Sequence, residues 1–131
     1  MREILFRGKR ADDSEWVEGG YFQEPYTDKE FIVQWNSSGL GFKEFIEIQK
    51  DTICQYTGLA DKNGNRIWEN DIVRIENSMD EGIGNIEFYG GMWYVDGEPS
   101  NRLYDIMEYD DTAEIEAIGN IFDNPELMEG D

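Results

Sequence analysis

Six carboxylates crowd into the run DIMEYDDTAEIE: Asp105, Glu108, Asp110, Asp111, Glu114 and Glu116. Hard oxygen donors of this kind suit Mg²⁺ or Ca²⁺, and a metal held there would bring hydrolytic chemistry within reach. Like charges about 4 Å apart repel by roughly 1 kcal/mol in water, so counterions gather around such a run in any case. Carboxylates clustered after a helix are ordinarily a solvated face, and no Lys, His or reactive Ser joins them in a recognisable motif. The expectation is therefore no metal site and no catalytic residue, with Asp110 and Asp111 as contacts for a partner.

The stretch QYTGLADKNGNRIWENDIVRI, residues 55–75, also looks like a site. Asp61, Asn63 and Gly64 resemble part of a calcium loop, but the ligand spacing, the flanking helices and the closing Glu are missing. Asn63-Gly64 is instead a strong hairpin signal, because a type I′ turn needs positive φ at both central positions. Asp61 is placed to close an Asx-turn on the backbone two residues on. Asn70 can take the left-handed conformation in a second turn, Glu69-Asn70-Asp71.

Nucleophilic chemistry finds little support. The chain has one cysteine, Cys54, and no histidine. Histidine-based catalysis, Cys/His zinc sites and internal disulfides are all excluded. Cys54 reads as a small buried hydrophobe, since nothing nearby in the sequence would stabilise a thiolate. GGMWYVDG lacks the Lys-Ser/Thr of a phosphate loop. No cofactor is expected.

What remains is aromatic. The 131 residues include eighteen Phe, Trp and Tyr in total, enough to build a core without staples. Trp68, Trp93 and Tyr94 lie near expected turns. They either fill that core or line a shallow groove in which rings stack on an extended peptide.

The charge is strongly uneven. Residues 1–66 carry nine Lys/Arg against twelve Asp/Glu, while residues 67–131 carry two against eighteen; the whole chain stands at −19. Such a surface repels nucleic acid and anionic membranes, which are bound by Lys and Arg displacing counterions. It attracts a protein with a basic patch, faster at low salt. No apolar run approaches the roughly 20 residues of a membrane helix, and the opening MREILFRGKR lacks the apolar centre of a signal peptide.

These side chains must be positioned mostly by strands. Strands are expected around residues 3–8, in EWVEGGYFQE with a tight connection or bulge at Gly19-Gly20, at 31–35, after an irregular stretch over 42–48, and at 52–58. Further strands follow at 72–75 and 83–88, then a return over 92–95 beyond Gly90-Gly91. Leu103, Ile106 and Met107 predict one short helix near 101–109, capped by Ser100 or Asn101. A last strand, AEIEAIGNIF, ends in a helical turn opened by Asn124-Pro125. The fold class expected is mainly β: an N-terminal β lobe over 1–60 and an SH3-like barrel over 61–131 in one compact unit. Exposed strand edges would allow a homo-oligomer, although strands as charged as EIEAIGN discourage it.

Three blocks, MREILFRGKR, YTGLADKNGNRIWENDIVRI and EAIGNIFDNPELM, together resemble the YopX family of bacteriophage and prophage proteins. The resemblance implies a mainly β fold with an SH3-type barrel, carried by phages or integrated elements and working in the cytoplasm of a bacterial host. No activity is established for that family, so it implies no catalytic residues. Asn70 departs from the family's usual Glu-Gly-Asp; Asn and Gly both tolerate positive φ, so the turn survives. Ala60 departs where Lys is common. The function expected is a non-enzymatic protein-binding module with an acidic surface. The alternatives are a DNA mimic, which needs carboxylates spaced about 1.7 Å of axis apart, and a divalent-metal enzyme using the acidic run.

Overall fold

The computed structural model describes residues 4–35, 43–78, 81–96, 102–109 and 113–128. No helix among them is long and apolar enough to cross a membrane. The strands form antiparallel ladders, and the chain divides into two compact units, residues 1–56 and 57–131.

In the first unit β1 (Phe6–Lys9), β2 (Trp16–Gln23), β3 (Glu30–Trp35) and β4 (Lys43–Ile48) form a meander, and the start of β5 (Cys54–Ala60) lies beside β1. The stretch over 42–48 expected to be irregular is thus strand from Lys43. Ile32, Ile46 and Ile48 are buried in the unit's core. The end of β4 is drawn back to β1, where Arg10 bridges Ile48 and the Gln49 N–H donates to the Lys9 carbonyl at 2.7 Å.

Gly19-Gly20 is not a connection. Both glycines lie inside β2, whose first half pairs with β1 and whose second half pairs with β3. A Cβ on Gly19 would stand 2.5 Å from the Val33 carbonyl oxygen and 3.0 Å from Ile32 Cγ2. The glycine answers a close approach between strands, which is its other use in a sheet.

In the second unit β6 (Arg66–Trp68) pairs with β5, and a four-stranded sheet runs in the order β10-β7-β8-β9. These are β7 (Asp71–Glu76), β8 (Glu81–Tyr89), β9 (Met92–Val95) and β10 (Glu114–Asn120). A short helix, α1 (Leu103–Tyr109), joins β9 to β10, and a 3-10 turn, Pro125–Met128, follows. Its cap candidates Ser100 and Asn101 lie outside the described residues. The core collects Ile67, Val73, Ile86, Val95, Leu103 and Ile115, one each from β6, β7, β8, β9, α1 and β10. Alternation along β8 and the helical spacing of α1 bring them to one side.

Gly90 and Gly91 both have positive φ (57° and 84°) between the paired residues Tyr89 and Met92, which makes the β8–β9 turn a two-residue hairpin. On β10 the register shifts between Ala117 and Gly119, a bulge at Ile118. Among the described residues the four-stranded sheet is open, with β10 and β9 at its edges, so the expected barrel is not closed. Four short strands cannot curl through a full circle.

Candidate binding groove

The Asp61 stretch is architecture. Asp61 is buried, and its Oδ1 accepts the N–H groups of Asn63 (3.0 Å) and Asn65 (2.9 Å). Oδ2 accepts the N–H of Ala117 on β10 at 2.9 Å. Burial pushes the Asp61 carboxyl up, but the N–H groups of Ala117, Asn65 and Asn63 together outweigh it and hold it below its ordinary value. The turn differs from the one expected. Only Gly64 has positive φ (83°), the Gly64 N–H donates to the Asp61 carbonyl at 3.0 Å, and the Asp61 N–H donates to the Asn65 carbonyl. This is a type I turn followed by a left-handed glycine, not a two-residue I′ turn. The Asp61 side chain captures the Asn63 N–H and holds that residue out of the left-handed region. Asn70 does take positive φ (70°), as its type predicts.

Cys54 is 1% exposed and its Sγ–H points to the Thr52 carbonyl at 3.3 Å, a structural thiol. Asp110 and Asp111 lie outside the described residues. Of the rest of the acidic run, Glu108 is exposed and the other three carboxylates have structural partners. Asp105 bonds Arg102 at 2.8 Å, Glu114 accepts from Lys62 at 3.3 Å and Glu116 accepts from Arg74 at 2.6 Å. The hydrogen bond from Arg74 is the main reason the Glu116 carboxyl lies below its ordinary value. Among the described residues no three His, Cys, Asp or Glu side chains converge as metal ligands would.

The aromatic candidates separate. Trp68 is 4% exposed and belongs to the interior, and its N–H is held by Asp71 Oδ2 at 2.9 Å. Trp93 and Tyr94 are half-buried on β9 and point to opposite faces. Tyr94 meets the Tyr89 ring at 6.1 Å, while Trp93 makes a tilted ring contact with exposed Phe88 at 4.7 Å.

Trp93 lines a groove of about 230 Å³ together with Thr57, Leu59, Met92, Arg102 and Tyr104. β5 supplies one wall, the β8–β9 hairpin the second and the start of α1 the third. Met92 (42% exposed) and Tyr104 (53% exposed) form an apolar rim. Arg102 is held at the edge by Asp105, and its Nη1 lies 3.8 Å from Met92 Sδ. Sequence reasoning missed Met92 and Tyr104. The only signal for Tyr104 was that the Leu103, Ile106, Met107 pattern leaves it off the buried face.

The sequence model of the family described as YopX protein matches residues 5–129, nearly the whole chain. The chain belongs to the YopX family. Two crystal structures share the YopX-type fold. Protein EF1440 from Enterococcus faecalis is 25% identical with a TM-score of 0.62, over 98% of this chain and 99% of that one. Protein yopX from Bacillus subtilis is 14% identical with a TM-score of 0.59, over 97% of this chain and 98% of its own, a likeness of fold alone. No curated protein matches.

Proposed function

We propose that this YopX-family chain is a non-enzymatic protein-binding module, working in the cytoplasm of a bacterium that carries it on a phage or prophage. The reading rests on one observation: an apolar groove with exposed aromatic and thioether rims, set in a strongly acidic half of the chain. The second unit is read as SH3-type in outline, with the groove between hairpin and helix taking the place where such folds stack rings on peptides. Its partner carries a basic patch, because the charge of residues 67–131 steers such a surface inward. In a phage setting that partner is a host factor or another phage protein.

The test uses the full chain and its Tyr104→Arg variant, each immobilised and exposed to nuclease-treated host lysate. The expected result is a protein retained at low salt, released at high salt and not retained by the variant. Retention of nothing that distinguishes the two baits would overturn the reading. Release of the partner by added DNA would replace it with DNA mimicry.

A further inference from the structure

Residues 67–131 contain two cations, and both are spoken for: Arg74 by Glu116 at 2.6 Å and Arg102 by Asp105 at 2.8 Å. The second pair stands at the groove. Among the described residues Arg102 is the groove's only charged lining residue, and Asp105 neutralises it. Without Asp105 the groove would present a cation on its edge. With it, the charge left on the helical rim is negative: the exposed carboxylate of Glu108 stands one turn beyond Tyr104 on the same face of α1. The interior itself is apolar, with Leu59, Met92 and the Trp93 and Tyr104 rings around about 230 Å³, room for one large side chain.

Resting on the protein-binding reading above, we infer that the groove takes one large apolar side chain from an extended segment with Lys or Arg flanking it, and that Asp105 sets this preference by cancelling Arg102. The apolar anchor supplies affinity by leaving water. The flanking cations supply sign selectivity, since like charges brought together at an interface disfavour the wrong partner. Asp105 is a specificity-determining residue that acts through Arg102, without needing to touch the ligand.

Three capped peptides test this by calorimetric titration of the full chain at low salt: Gly-Lys-Gly-Lys-Leu-Lys-Gly-Lys-Gly, the same with Glu for every Lys, and the Lys peptide with Ala for Leu. The Lys-Leu peptide should bind, and its Ala version about tenfold more weakly. The Glu version should bind least. Tyr104→Ser should remove the difference between Leu and Ala while leaving the circular dichroism and melting temperature unchanged. Asp105→Asn should narrow the ratio between Lys and Glu peptides about fivefold, and adding Arg102→Gln to it should restore that ratio. Equal binding of the Leu and Ala peptides, or a ratio indifferent to Asp105→Asn, would overturn the inference. If lysate proteins still distinguish Tyr104→Arg while no peptide does, the protein-binding reading stands and this peptide preference falls.

Discussion

Asp61 and Ala117 are fifty-six residues apart in sequence, and a 2.9 Å bond from the Ala117 N–H to Asp61 Oδ2 joins them. One carboxylate thereby closes its own turn and fastens it to β10 beside the bulge. A buried carboxylate that accepts three backbone N–H groups holds two parts of the second unit in register.

Asp61→Ala leaves those three donors without their acceptor and should cost about 2–3 kcal/mol, read by urea unfolding at pH 7. The pH dependence has a defined sign. The folded Asp61 carboxyl is held below its unfolded value, so its contribution is complete above the ordinary carboxylate range and is lost as pH falls through the lower folded value. The stability gap between the wild type and Asp61→Asn should therefore be largest near neutrality and shrink in acid. A gap that stays constant from neutral pH down into strong acid would refute this assignment.

Tyr21 and Glu30 give the opposite pH behaviour. The Tyr21 hydroxyl donates to Glu30 Oε2 at 2.5 Å, and the other oxygen of this buried carboxylate accepts the Asp51 N–H at 3.0 Å. Burial first, then the hydrogen bond to Glu30, push the phenol up to about 12. A raised value means stability present below the unfolded pKa of about 10 and lost as pH rises toward the folded one. An ultraviolet phenolate titration should show one of the seven tyrosines ionising late, and Tyr21→Phe should remove that step. The substitution should cost about 1–2 kcal/mol, at the lower end because the ring is over one-third exposed.

The two glycines of β2 should part company. Gly19→Ala drives a methyl into the Val33 carbonyl at 2.5 Å, rigid backbone that cannot swing aside, and should destabilise by about 2–3 kcal/mol. Gly20→Ala meets Val33 no closer than 3.8 Å and should be neutral or stabilising by up to about 1 kcal/mol. Thermal melts of the pair decide it; equal losses would mean that the close approach is not what selects glycine at position 19.

Cys54 should be silent to a thiol reagent in the folded chain and react fully in guanidinium, because it is 1% exposed. Fast labelling under native conditions would show that this part of the first unit opens readily.

What the sequence disclosed was mostly local. The left-handed Asn70, the Gly90-Gly91 hairpin, the short helix and the Pro125 turn follow from residue types that allow few backbone conformations. The misreadings have causes outside the residue misread. Asn63 stays out of the left-handed region because Asp61 captures its N–H. Gly19 sits in mid-strand because a neighbouring strand passes close. Trp68 and Trp93 look alike in sequence, yet one is buried and the other, although packed against the core cluster, lines a groove. The groove was half legible: it gathers residues 57–59, 92–93 and 102–104, three stretches that no periodicity links.

β5 begins beside Arg7, where Cys54 pairs with it, and ends past Thr57, whose hydroxyl donates to the Ile67 carbonyl at 2.7 Å. The border between the two compact units falls inside that strand, after Tyr56. Dissection by cloning is therefore a poor strategy for this protein. A cut at the border would end one fragment and begin the other in the middle of an ordered strand, and a fragment that aggregates through that raw end would say nothing about whether its intact counterpart is an independent folding module.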